Sequence, residues 1–326
     1  MVNWEEYRGK ADPWDGYVSS VAGSFYQTYG WAEVRRVAGW EPLRLLARCT
    51  NQVISVASVL VKRKAGLVFC WVPGGPVGPS EVLDPRFRET LCKMLGSKFV
   101  YCRVSLLREE RGDEIHALAA AGWRRPKIAM SSGLTMSYSL AGDKTERLKL
   151  VSSNWRHNLK RSARYGLNID QWHDPDTGAI SALYREMEQL KSLPMQHSQK
   201  ELAAIFKQCA NQLVVYRCLD SRGRLLAIRA AGLSGSTALD LLAAAGGEAR
   251  KLYASHATLW ELLDHCSRLG LHNYDLSGVD PTANKGVFDF KHGTGARLVT
   301  CLGEWEWASV PGVRQMVNWM VARTSA

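Results

Sequence analysis

Lys291 is the first residue in this sequence with the setting of a catalytic group. The stretch FDFKHGTGA (288–296) sets Phe288 and Phe290 before it, and His292, Gly293 and Gly295 after it. An ammonium held among aromatic rings loses part of its hydration. A fixed, partly dried cation can stabilise negative charge as it develops on a substrate oxygen. The same lysine can instead be spent on an ion pair with Asp289 or Asp275. The apolar pattern of 288–290 predicts a strand end running into a glycine turn.

A second feature is a dense run of cations. Lys144 to Gly166 holds seven Lys/Arg and a single Glu, so +6 of the chain's formal +11 falls in 23 residues. The later part, from a Ser152 or Ser153 cap to a Gly166 stop, predicts a helix. Trp155, Leu159 and Ala163 mark its apolar stripe, and Arg156, Lys160 and Arg164 repeat beside it at the same spacing. Like charges one turn apart repel, so the stripe suits an anion such as phosphate, although a solvated helix face gives the same pattern.

Other chemistries find little support. There is no GxSxG elbow, P-loop, post-strand GxGxxG or HExxH motif, and no His/Cys cluster at metal spacing, so no metal is expected. Eight scattered cysteines without a CxxC pair fit reduced thiols and a cytoplasmic setting. No apolar run approaches the roughly 20 residues of a membrane helix, so no stable membrane insertion is expected. With 326 residues, 46% hydrophobic and 22% charged, the chain is globular and long enough for two domains.

Periodicity places these groups on an α/β (α+β) framework of mixed, largely antiparallel sheets. A helix over 24–40 precedes paired strands over 41–49 and 52–64, and a strand near 67–73 leads to a helix near 84–97. A strand over 99–107, a helix ending in AAAGW (119–123) and a strand over 133–140 complete a first unit. AGDKTER (141–147) reads as a linker. The second unit opens with the basic helix and a strand over 167–172, then helices near 175–192 and 198–210. Three strands follow over 211–247, then a helix over 253–269 and a strand over 272–278. Meander, helix, strand is the order of an acetyltransferase-type fold, and it occurs twice, with AAAGW echoing SRLGL (267–271). The expected domains are 1–143, an N-terminal acceptor-binding side, and 144–326, carrying the basic helix and the Phe-Lys motif.

The stretch YDLSGVDPTANKGVFDFKHGTGA (274–296) resembles the C-terminal signature of the Fem family of aminoacyl-tRNA-dependent transferases. NWRHNLKRSARYGL (154–167) is similar to that family's basic helix, WAEVRRVAGW (31–40) to its N-terminal segment, and VPGGPVG (72–78) to its Gly-Pro-Val turn. The matches run in order from about residue 20 to 305. The resemblance implies two tandem GNAT-like domains. It also implies transfer of an amino acid from aminoacyl-tRNA to an amine acceptor, forming a peptide or amide bond without cofactor, metal or ATP.

On that resemblance Lys291 stabilises the oxyanion with Phe290 beside it, and Arg35, Tyr253 and Asp275 bind substrate. Arg156, Lys160 and Arg164 meet tRNA or acceptor phosphates. The acceptor is either a muramyl-peptide precursor of peptidoglycan or a small peptide-like metabolite of antibiotic biosynthesis. Thr294 departs from the family, which often carries an aromatic there, and no long charged coiled-coil insertion is present.

The competing reading is a GNAT N-acyltransferase using acyl-CoA or an acyl carrier protein. It asks for a glycine-rich pyrophosphate loop where this chain has ARKLYASHA (249–257). A non-enzymatic RNA-binding protein explains the charge but not the Phe-Lys turn.

Overall fold

A computed structural model of the chain describes residues 2–79 and 85–324. It comprises two compact units, residues 1–134 with 299–326, and residues 135–298.

In unit 1, four antiparallel strands come first: β1 (Val2–Glu6), β2 (Glu41–Cys49), β3 (Gln52–Lys64) and β4 (Leu67–Pro73). Helix α3 (Pro85–Leu95) then crosses over, so that β5 (Val100–Glu109) pairs parallel to β4. Phe87, Leu91 and Leu95 recur every fourth residue on α3 and are buried against Trp4 and the Val/Leu faces of β2 to β5. The expected helix over 24–40 is instead broken. Thr28 caps α2 (Tyr29–Val34) through its hydroxyl, and a 3-10 turn (Arg35–Ala38) follows before Gly39 at φ +76°. Helix α1 (Ala11–Ser20) was not anticipated; it buries Trp14 and Val18.

Unit 2 repeats the plan. Strands β7 (Asn168–Gln171), β8 (Leu213–Leu219), β9 (Leu225–Ser234) and β10 (Thr237–Ala245) form the antiparallel part. Helix α10 (Ala254–Arg268) leads to β11 (Asn273–Gly278), parallel to β10. Leu259, Leu262, Leu263 and Cys266 of α10 are fully buried, whereas Leu269, beyond its end, is exposed. By position in this order the counterpart of SRLGL is KMLGS (93–97) at the end of α3, not AAAGW, which ends α4 (Gly112–Ala120).

The expected boundary at 143/144 differs from the observed division in a specific way. The last strand of the first half, β6 (Leu134–Ser139), pairs antiparallel with β11 in unit 2. The last strand of the second half, β12 (Arg297–Ala308), pairs antiparallel with β5 in unit 1. Each half of the chain thus gives its final strand to the sheet of the other unit. The segment read as a linker also differs: Asp143 and Glu146 form a capping box that starts α5 (Lys144–Leu150).

The basic segment becomes α6 (Ser153–Ser162), capped by the Ser152 hydroxyl, then a 3-10 turn (Ala163–Tyr165) closed by Gly166 at φ +59°. Trp155 is buried and Leu159 half-buried, but Ala163 is exposed because the helix has already tightened. No described helix is long and apolar enough to cross a membrane.

Two glycines separate backbone strain from crowding. At Gly166 an added Cβ meets nothing, so Gly166→Ala should cost only the left-handed strain of about 1 kcal/mol. At Gly295, with φ +85°, an added Cβ would lie 2.6 Å from the carbonyl oxygen of Leu150. Gly295→Ala should therefore lower the urea midpoint at least twice as far as Gly166→Ala. Equal losses would show that the turn can relax.

Candidate active site

The motif around Lys291 is helical, correcting the expected strand end. Asn284 caps α11 (Lys285–His292) by accepting from the Val287 amide. Thr294 ends it: its hydroxyl donates to the Lys291 carbonyl at 2.6 Å and accepts from the Ala296 amide at 3.3 Å. The buried Thr294 is therefore a helix-end clasp. The adjacent glycines serve the same packing. A Cβ on Gly293 would sit 2.9 Å from Trp155 Cδ1, so this turn is pressed against the start of α6.

Lys285 and Asp289 pair on the outer face of α11 at 2.6 Å, so Asp289 is not the partner of Lys291. Lys291 points inward and is only 7% exposed. Its Nζ donates to the carbonyls of Gly278 at 2.9 Å and Ser277 at 3.3 Å. These oxygens are available because β11 loses register between Asp275 and Gly278, with Ser277 at φ +63°. Asp275 is occupied elsewhere, by the Thr135 hydroxyl and the Ser277 amide at 2.8 Å. It acts on Lys291 through space. Burial pushes the lysine pKa down; Asp240 opposes this, Arg229 adds to it, and Asp275 opposes it more weakly. Burial likewise raises the Asp275 carboxyl, against the two hydrogen bonds it accepts.

Beside the lysine lies a charged pair that sequence reading missed. Arg229 reaches Asp240 through Nε at 2.8 Å and a second guanidinium nitrogen at 2.5 Å, and both side chains are buried. The Tyr274 hydroxyl donates to the same carboxylate at 3.2 Å. Register explains the meeting. Asp240 stands opposite Ala231, two residues from Arg229, and Tyr274 stands opposite Ala238, so all three share one face of the sheet. The available signal was a lone charge inside each of two otherwise apolar strands, LLAIRAAG and ALDLLAAA.

Phe290 closes the site. The Arg229 guanidinium lies 5.5 Å from its ring centroid, with His256 at 5.0 Å and Trp155 at 6.0 Å. Phe288, the other aromatic of the motif, stacks on His292. His256, also missed, is pushed down to about 4 by burial and by Arg229. Tyr253 starts α10 at φ +55°, sets its ring edge toward His256, and accepts a hydrogen bond from Arg161 at 2.8 Å.

The cations of the basic run divide into two sets. Arg147 is buried on Asp264, and Lys144 pairs with Glu261, so both brace α5 against α10. Arg156 donates to the carbonyls of Lys149 and Val151 at the end of α5. Arg156, Lys160 and Arg164 are exposed, and among the described residues none is paired with a carboxylate. Lys291, Phe290, Asp275 and Tyr253 thus gather with this helix in unit 2. Arg35 belongs to unit 1, in the 3-10 turn, its guanidinium 5.6 Å from the Trp31 ring centroid. Among the described residues no three His, Cys, Asp or Glu side chains are grouped to hold a metal ion.

A family model described as an acetyltransferase (GNAT) domain matches residues 153–292, from the start of α6 to the end of α11. No curated protein matches the chain in sequence. The structure of FemX aligns with a TM-score of 0.83, covering 96% of this chain and 100% of FemX, at 14% identity. A tandem GNAT protein from the clavulanic acid biosynthesis pathway aligns at 0.57, covering 95% and 99% of the two chains at 13% identity. L-PGS from Bacillus licheniformis also aligns at 0.57, covering 96% and 98% at 12% identity. The chain therefore has the tandem GNAT fold seen in FemX, and the resemblance read from its motifs holds at the level of the fold.

The His256 shift has a testable consequence. Its folded pKa lies below the unfolded value of 6.5, so the folded state binds fewer protons between those limits. Its contribution is complete above 6.5 and is lost as pH falls to about 4, a change of about 3 kcal/mol. Urea denaturation at pH 7.5 and 4.5 should show a smaller stability loss for His256→Phe than for wild type. Parallel losses would mean that His256 titrates normally.

Proposed function

We propose that the chain is an aminoacyltransferase that moves an amino acid from aminoacyl-tRNA to an amine acceptor. The observation that carries this reading is the held ammonium of Lys291. Two of its three donors are taken by the Ser277 and Gly278 carbonyls, which leaves one N–H for a ligand oxygen. The acceptor amine attacks the ester carbonyl, a C–N bond forms, and negative charge gathers on the carbonyl oxygen beside Lys291. Collapse breaks the ester C–O bond, and the proton lost by the amine ends on the departing ribose oxygen. An aminoacyl ester is already activated, so the enzyme supplies orientation and charge.

The unpaired cations Arg156, Lys160 and Arg164 suit the phosphates of a tRNA acceptor arm. Arg35, in unit 1, is the candidate for a phosphate of the acceptor. The acceptor is a cell-wall precursor or a small antibiotic-pathway metabolite, the likeness to a protein of the clavulanic acid biosynthesis pathway being in keeping with the second, and a cytoplasmic enzyme fits both.

The acyl-CoA reading meets an obstacle in the segment that follows β10. This segment is α9 (Gly247–Lys251), and the amides of Ala249, Leu252 and Tyr253 are spent on the carbonyls of Gly246, Glu248 and Arg250. The Gly247 amide donates to the Glu186 carboxylate at 2.7 Å. Those four backbone donors are committed, and a carboxylate stands where a pyrophosphate would need positive charge.

Labelled aminoacyl-tRNA incubated with candidate amines should give product that disappears after RNase treatment. RNase-resistant product formation supported by acyl-CoA would overturn the tRNA reading. Lys291→Met should cut turnover by roughly 10²- to 10³-fold. Because the folded lysine pKa is lowered, the charged form is disfavoured in the folded state at neutral pH, and that cost fades only as pH rises toward the unfolded value. The urea midpoint of Lys291→Met should therefore stay level or rise, and wild-type turnover in this variant would remove Lys291 from the reaction.

A further inference from the structure

The hydrogen bonds that hold Lys291 continue past its two carbonyl partners. Ser277 turns β11 in the left-handed region, and its hydroxyl donates to the main-chain oxygen of Asp240 at 2.6 Å. That bond pins the segment whose next two carbonyls, of Ser277 and Gly278, receive Nζ. Asp240 itself sits where β10 loses register against β9, between Asp240 and Leu242. Its side chain is fixed by Arg229 from β9 and Tyr274 from β11. One residue therefore joins three strands at the point where the lysine is gripped.

We infer that Asp240 is a positioning residue for Lys291. Its carbonyl, through the Ser277 hydroxyl, fixes the oxygens that aim the ammonium, and its carboxylate cancels the neighbouring Arg229 guanidinium. The catalytic meaning of this inference rests on the proposed aminoacyl transfer, but its geometry does not. Three charged groups act on the lysine: Asp240 on β10, Arg229 on β9 and Asp275 on β11. Asp275 is held by Thr135 and the Ser277 amide, so it also depends on the Ser277 turn. Without the Asp240 carboxylate, Arg229 would face Lys291 opposed only by the weaker Asp275 and lower its proton affinity further.

The test reads Lys291 directly. In protein labelled with 13C at lysine Cε, the signal absent from Lys291→Met is assigned to Lys291 and titrated with pH. Asp240→Asn should move its midpoint down. Asp289→Asn, which disturbs only the outer pair with Lys285, should leave the midpoint in place. An unmoved midpoint in Asp240→Asn, or an equal drop in Asp289→Asn, overturns the inference.

Should Asp240→Asn leave Arg229 buried without a partner and fail to fold, Ser277→Gly tests the same link. Glycine keeps the left-handed backbone and removes the hydroxymethyl group that makes the bond to the Asp240 carbonyl. Its midpoint should also fall, with kcat down about 10- to 100-fold and KM within about twofold, as expected for misplacement without lost binding. A wild-type midpoint and kcat in that variant overturn the inference. If wild-type protein transfers no aminoacyl group, the proposed function fails on its own, and the titration still decides the role of Asp240.

Discussion

The site depends on the ion pair that Arg229 and Asp240 make inside unit 2. A guanidinium and a carboxylate taken out of water cost several kcal/mol each unless they neutralise one another in good geometry. Here two contacts, at 2.8 and 2.5 Å, are joined by the Tyr274 hydroxyl. The surrounding strand positions are mostly alanine: Ala227, Ala230, Ala231, Ala238 and Ala244 are all buried. Small neighbours leave room for a long arginine to lie across the sheet and reach the Phe290 ring. Once the pair is neutral, a third buried charge, Lys291, can sit nearby without facing a net positive field.

The remaining cations obey the same accounting by solvent exposure. Arg147 is buried, and its two terminal guanidinium nitrogens bond Asp264, Ser267 and backbone carbonyls. Lys160 and Arg164 stay in water, where holding like charges together costs little and salt screens them. A composition count treats all seven cations of 144–166 alike, but burial divides them into structural braces and a surface available to an anion.

Strands such as β2 and β3 were legible to the residue because their apolar positions recur in register with polar turns at both ends. Helix α11 was not. VFDF is short and apolar, and only its cap residues Asn284 and Thr294 distinguish a helical turn from a strand end. Lys291 was legible through its motif, whereas Asp240 and Arg229 each looked like a stray charge. Their partnership is set by the register of β9 against β10, a long-range pairing that local periodicity does not encode. Thr294 was legible only as a departure from the family and the two glycines only as a turn, because their contacts, with the Lys291 carbonyl, Trp155 and Leu150, are set by the fold. The boundary at 143 failed for a related reason: nothing local marks that β6 belongs to the sheet of β11.

That exchange of final strands bears on how the protein is made. As the chain leaves the ribosome, β5 is complete at Glu109, but its neighbour β12 is not finished until Ala308. Throughout the intervening synthesis the first sheet has an open edge at β5, with unpaired amides and carbonyls ready to join any extended strand nearby. The nascent protein therefore stays vulnerable until β12 has been made, and unit 1, unlike the continuous unit 2, is assembled from two separate stretches of the chain.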